Sequence, residues 1–160
     1  MVEQNDVPDP KIDLGILLGL AYQGFTDQLW VQLGSKGFDD LGNAYGYVFR
    51  ALADEELSQR ELATRLGITD QGMAKILGEM VARGYVERHP DPVDARVKRL
   101  RLGKRGRSAL GAARRFHADF EQRLAKDVGA AAVAALRRTL EVIARRGDTG
   151  DLALERLRPT

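Results

Sequence analysis

A mainly α-helical chain carrying one small β-hairpin is expected from three observations. Over most of the sequence apolar residues recur at spacings of three and four, the period of a helix with one buried stripe. Between residues 58 and 84 two such segments flank Gly67, each opened by a hydroxyl residue and each followed by a glycine, the punctuation of two short helices joined by a tight turn. Residues 89–102, HPDPVDARVKRLRL, then switch to a period of two after a turn crowded with proline and aspartate.

The elements follow in order. Residues 1–10, MVEQNDVPDP, form a polar tail. From Lys11 to about Leu33 a helix carries Leu14, Leu18, Tyr22, Phe25 and Leu29, with Ile12, Ile16, Leu17 and Leu20 widening the stripe. A helix apolar nearly all round must be covered by something. Gly34 and Gly37 end it, and a second helix is expected from Asp40 to Leu52. Ser58 followed by Glu61 makes a capping box that starts a third helix, stopped at Gly67; Thr69 caps a fourth, which runs to about Arg83. Ala63 is small where the fourth helix crosses the third. Such a pair is a helix-turn-helix, although an ordinary helical hairpin has the same pattern. Tyr85–Arg88 and Val97–Leu102 then pair as strands, with Leu100 and Leu102 on the packed face and Val97, Arg99 and Arg101 on the other. A helix-turn-helix followed by a hairpin is a winged helix.

Beyond Lys104 a long helix carries Leu110, Ala113, Phe116, Phe120 and Leu124, and a last one carries Val133, Leu136, Leu140 and Ile143. These helices and the first have too little of their own chain to cover them, which points to a homodimer of interlocked helices. The chain therefore divides into a tail (1–10), N-terminal helices for dimerisation and a ligand crevice (11–54), a winged helix-turn-helix (55–103) and C-terminal dimerisation helices with a tail (104–160). The winged module is embedded in an all-helical dimerisation region.

Composition narrows the function. The 160 residues, 44% hydrophobic and 30% charged, suit one globular domain. The longest apolar run, GILLGLA, is too short for a bilayer and the acidic start is no secretory signal, so the cytoplasm is expected. With no cysteine and only two unrelated histidines, His89 and His117, the sequence implies no metal, no cofactor and no redox chemistry, and it offers no convergent polar group for an enzyme. Net charge is only +2, yet Arg83 to Arg107 concentrates arginine and lysine, the footprint of a nucleic-acid partner.

The stretch LSQRELATRLGITDQGMAKILGEMVARGYVERHPDPVDARVKRLRLGKRGRSAL resembles the core of the MarR family of transcriptional regulators over about a third of the chain. The LA-x-x-L-G-I-T start, the V-x-R-G-Y-V-E-R join, the DP-x-D-x-R turn and the R-G-R after the wing occur together in order. The resemblance implies a homodimer on a pseudo-palindromic double-stranded DNA operator, usually a repressor, released by a small ligand held between dimer helices and winged helix. Two departures stand out: Gly103 replaces a usual threonine after the wing, and Gly72 and Ala74 fall where hydroxyl residues commonly face DNA.

Candidate DNA-binding residues are Thr69, Asp70, Gln71, Gly72 and Lys75 at the start of the fourth helix, where Gln71 suits adenine and Lys75 guanine or phosphate. Asp70 is equally suited to complement the helix dipole, and the alternative for Gln71 is a solvated surface position. In the wing, Arg96 matches the family's groove-inserting arginine, Asp94 is placed to hold its guanidinium, and Lys98 and Arg99 are set for phosphates. The alternative is a solvated turn. Arg83, Arg88, Lys104, Arg105 and Arg107 divide between phosphate contact and solvation. For a small aromatic or anionic effector the candidates are Tyr22, Phe25, Trp30, Tyr45 and Phe49, residues whose spacing also suits a core. A winged-helix module for protein contacts without DNA shares the fold; the basic wing argues against it.

Overall fold

The computed structural model describes residues 12–147. The expected tail at 1–10, the helix start at Lys11 and residues 148–160 lie outside the described residues. Among the described residues six helices and three strands follow one another as α1 (Leu14–Gly34), α2 (Tyr45–Ala51), β1 (Leu57–Ser58), α3 (Gln59–Leu66), α4 (Asp70–Ala82), β2 (Val86–Pro90), β3 (Lys98–Leu102), α5 (Lys104–Val128) and α6 (Ala130–Arg145). Two compact units result, one ending at Asp39 and the other beginning at Asp40.

The first unit is α1 and the turn after it. Only Leu33 of this helix is buried, while Leu14, Ile16, Leu17 and Leu20 are each at least half exposed. Gly37, at φ 83°, takes the left-handed conformation that the turn requires.

The second unit holds the core. Helix α3, with Leu62 and Ala63 buried, packs on α4, with Met73, Leu77 and Met80 buried, and α2, with Val48 and Phe49 buried, packs on α3 and α5. The expected second helix is shorter than its apolar pattern: it begins at Tyr45, because residues 39–44 form turns. Ser58 builds the expected capping box, its hydroxyl accepting the Glu61 N–H at 3.3 Å while Glu61 accepts the Ser58 N–H at 2.7 Å. Gly67, at φ 68°, ends α3.

The hairpin is part of a three-stranded antiparallel sheet in the order β1-β3-β2, and β1 is an element the sequence did not announce. It pairs Leu57 with Leu100 and Ser58 with Arg99, so the residue that caps α3 also joins the sheet. The β2–β3 register sets Val86 opposite Leu102 and His89 opposite Arg99. Leu100 and Leu102 are buried and Arg101 is exposed, the alternation expected of this strand.

Behind the wing, α5 starts against the α4–β2 turn. Gly103 is its N-cap, and a Cβ there would lie 2.6 Å from the Gly84 carbonyl oxygen, so the residue departing from the usual threonine answers a close backbone approach. Gly106 is tighter still: a Cβ would run into the Tyr85 carbonyl. At Gly129 the chain turns into α6, which packs on α5 with an Arg137–Glu121 ion pair at 2.6 Å. No residue of α6 is buried, and Leu136, Val142, Leu140 and Ile143 stay exposed.

Candidate nucleic-acid interface

The N-terminal turn of α4 is organised by Thr69, whose hydroxyl oxygen accepts the Gly72 N–H at 3.0 Å. A Cβ on Gly72 would stand 3.1 Å from that oxygen, so glycine keeps the cap uncrowded. Asp70 follows in the first turn, where its charge complements the helix dipole. Gln71 and Lys75 are exposed and, one turn apart, lie on the same side of the helix, away from the buried Met73 and Leu77.

The wing turn is held by its aspartates. Asp91 Oδ1 accepts the N–H groups of Val93 at 2.8 Å and Asp94 at 3.1 Å. Asp94 Oδ1 accepts the Arg96 backbone N–H at 3.0 Å, and this corrects the expected pairing: Asp94 shapes the turn, and no ion pair joins it to the Arg96 guanidinium among the described residues. An aspartate two residues before an arginine reaches the backbone more directly than the far end of that side chain. Arg96 itself is exposed, and the tip residue Val93 is 94% exposed. Lys98 is exposed too, its ammonium 3.5 Å from the Ala95 carbonyl.

Arg99, expected to meet a phosphate, is engaged twice within the protein: Nε donates to Asp91 Oδ2 at 2.6 Å and Nη1 to Glu61 Oε2 at 2.8 Å. The hydrogen bond from Arg99, aided by those of Val93 and Asp94, holds the Asp91 carboxyl down at about 2. Glu61 is likewise lowered, chiefly by the Ser58 N–H.

Much of the basic cluster is engaged by partners within the protein. Arg83 donates to the Asp40 carbonyl at 2.5 Å and to the Tyr45 hydroxyl at 3.0 Å. Arg105 grips both oxygens of the Asp40 carboxylate at 3.0 Å while its guanidinium lies 4.5 Å from the centre of the Tyr85 ring. Tyr85, fully buried, donates its hydroxyl to the same carboxylate. Burial works to raise the Asp40 carboxyl, but the hydrogen bonds from Tyr85 and Arg105 outweigh it and hold it below its ordinary value. Arg107 donates to the Leu102 carbonyl at 2.5 Å, and Arg101 pairs with Glu87 across the strands at 2.9 Å. Arg83, Arg105 and Arg107, expected to divide between phosphate and solvent, therefore fasten the wing base, α2 and α5 together. Sequence reading had no signal for this knot beyond the arginines themselves.

Of the aromatic candidates, Tyr45 and Phe49 are buried beside Tyr85, with ring centres 5.8 Å and 5.6 Å from it. The Tyr45 hydroxyl also donates to Glu79 at 3.3 Å. Tyr22 and Trp30 are exposed on α1 and Phe25 is half-buried there.

A capped recognition-type helix beside a three-stranded wing defines a winged helix-turn-helix fold. Residues 39–97 match the sequence profile described as MarR family. A mutant of E. coli MarR complexed with operator DNA is 25% identical, covers 82% of this chain and 94% of its own, and superposes with a TM-score of 0.63. Streptococcus pneumoniae FabT in complex with DNA shares the fold at 19% identity and a TM-score of 0.66, over 83% of this chain and 96% of its own. The exopolysaccharide II synthesis transcriptional activator ExpG of Rhizobium meliloti is 26% identical over 126 residues, 77% of this chain. The chain spans 65% of that relative's length. Over residues 39–97 the chain is thus similar to MarR-family transcriptional regulators, and its fold is that of MarR solved on operator DNA.

Proposed function

We propose that this protein is a MarR-family transcriptional regulator that binds a pseudo-palindromic operator as a homodimer in the cytoplasm and represses the promoter it covers. The observation that carries the reading is the division of the basic residues: Arg83, Arg99, Arg101, Arg105 and Arg107 are satisfied within the protein, whereas Arg96 and Lys98 project from the wing with no ion-pair partner among the described residues. Cations left uncompensated on a rigid hairpin suit phosphates and the minor groove. Gln71 and Lys75 then read the major groove, with half-site centres roughly 10 bp apart to match twofold symmetry. The exposed apolar faces of α1 and α6 support the dimer, since a lone protomer would hold them in water.

A small aromatic or anionic ligand releases the operator by preferring the spacing of recognition helices that does not fit DNA; affinity without that preference shifts nothing. The aromatic side chains open to it are Tyr22 and Trp30, with Phe25 beside them in sequence, because Tyr45 and Phe49 are core. Selection of bound duplexes from a random pool tests the reading. It should yield an inverted repeat, and Gln71→Ala should blur the sequence preference more than it lowers total affinity. Sites without a dyad would overturn the docking, and a reporter activated by the protein would overturn repression.

A further inference from the structure

We infer that Arg99, Asp91 and Glu61 form a positioning clamp that fixes the wing against the start of α3, and that Arg99 acts on DNA only through the placement of Arg96. The inference rests on the DNA-binding reading above and deepens it. A two-stranded hairpin is marginal on its own, and β1 reaches β3 at only two positions, Leu57 opposite Leu100 and Ser58 opposite Arg99. The clamp adds what that short ladder lacks. Arg99 Nε holds Asp91 Oδ2 at 2.6 Å, and Asp91 is the wing-turn residue whose other oxygen takes the N–H groups of Val93 and Asp94. Arg99 Nη1 holds Glu61 Oε2 at 2.8 Å, the oxygen that also accepts the Ser58 N–H in the capping box. One guanidinium thus joins the turn that presents Arg96 to the first turn of the helix-turn-helix. Only 10% of the Asp91 side chain is exposed, so this carboxylate is a built part of the hairpin.

Charge separates the clamp from a phosphate contact. One arginine against two carboxylates (+1 − 2) leaves a net charge of −1, which DNA repels. A phosphate taken by the remaining N–H groups of Arg99 would have to stand beside both carboxylates. A charge argument therefore predicts that neutralising either acid tightens operator binding; positioning predicts the opposite sign.

Asp91→Asn and Glu61→Gln are suited to the test, because an asparagine can still accept the turn N–H groups and a glutamine can still close a capping box. Each variant of the full chain is titrated on the selected operator, alone and combined with Arg96→Ala, with dimer mass and circular dichroism recorded alongside. Each amide variant should weaken binding by about fivefold or more, the partial loss of one groove contact. In the Arg96→Ala background neither these changes nor Arg99→Gln should cost anything further, the non-additivity of residues acting through one another. Unchanged or tighter binding by Asp91→Asn, or a further loss on adding Arg99→Gln to Arg96→Ala, would overturn the clamp while leaving the DNA-binding reading intact. A wild-type protein that binds no duplex overturns both.

Discussion

Gly106→Ala puts the packing of α5 to a quantitative test. The added methyl carbon would overlap the Tyr85 carbonyl oxygen and stand 3.1 Å from the carbonyl carbon and 3.5 Å from Leu102 Cδ2. The first obstacle is backbone, which has no rotamer to yield, so the start of α5 must move. That motion strains the Gly103 N–H bond to the Tyr85 carbonyl, now 2.9 Å, and the grip of Arg105 on Asp40. Overpacking of this kind costs about 1–3 kcal/mol, and the strained hydrogen bond adds about 1 kcal/mol. Against this stands the helix-propensity gain of alanine over glycine, at most about 1 kcal/mol. The net is a loss of about 1–3 kcal/mol. For a chain of this size each kcal/mol shifts Tm by about 2–4 °C, so the midpoint should fall by about 2–12 °C in thermal denaturation at one fixed protomer concentration. Gly78→Ala is the control, since a Cβ there meets nothing within 4 Å on the exposed side of α4, and it should raise stability by about 0.5–1 kcal/mol. If Gly106→Ala raised the midpoint as Gly78→Ala does, propensity would have won and the close approach would carry no energetic weight.

Three further outcomes are expected. Arg96→Ala should weaken operator binding by about 1–3 kcal/mol and flatten its salt dependence by about one phosphate contact; unchanged affinity and slope would return the wing tip to a solvated loop. Sedimentation should give a dimer at micromolar concentration, broken by paired charge changes at Leu136 and Leu140, whose exposed side chains lie one turn apart on α6; a stable folded monomer of the wild type would refute it. Acid should loosen the wing only below the ordinary carboxylate range: Asp91 sits at about 2 in the folded chain against an ordinary 3.8, so its contribution is complete above 3.8 and lost as pH falls toward 2. Asp91→Asn should flatten that limb of the stability curve followed by urea titration, and an unaltered limb would show that other groups govern it.

Local signals in the sequence were legible where structure is local. The capping box at Ser58, the left-handed Gly67, the Thr69 cap and the alternation along β3 each depend on residues within a few positions of one another, and each is present. Strand β1 was not legible, because two residues display no period and acquire their state from Leu100 and Arg99 about forty positions on. Asp40 escaped notice for the same reason: its partners Tyr85 and Arg105 are 45 and 65 residues away. Within the wing, nearness misled. Asp94 looked like the mate of the Arg96 guanidinium but serves the backbone, while the side-chain pair in the turn is Asp91 with Arg99, eight residues apart and brought together by the hairpin. Arginine density is plain in the sequence, but satisfied and unsatisfied members differ only in three dimensions.

The hydrogen bond from the Gly103 N–H to the Tyr85 carbonyl has a consequence for how such a regulator can change over time. The chain enters the hairpin after Tyr85 and leaves it at Gly103, and the β2–β3 ladder closes that excursion at its root. Everything from Pro92 to Arg96 lies beyond the last cross-strand hydrogen bond, from the Asp91 N–H to the Val97 carbonyl, and is exposed. Lengthening a loop already closed at its base is inexpensive, since each doubling adds only about 0.6 kcal/mol of chain entropy. A residue inserted beside Val93, or a bond cut there, leaves both arms of the hairpin tied to the body. The tip is thus an editable appendage: its length and sequence can drift, and with them the groove it favours, while the helices beneath fold as before.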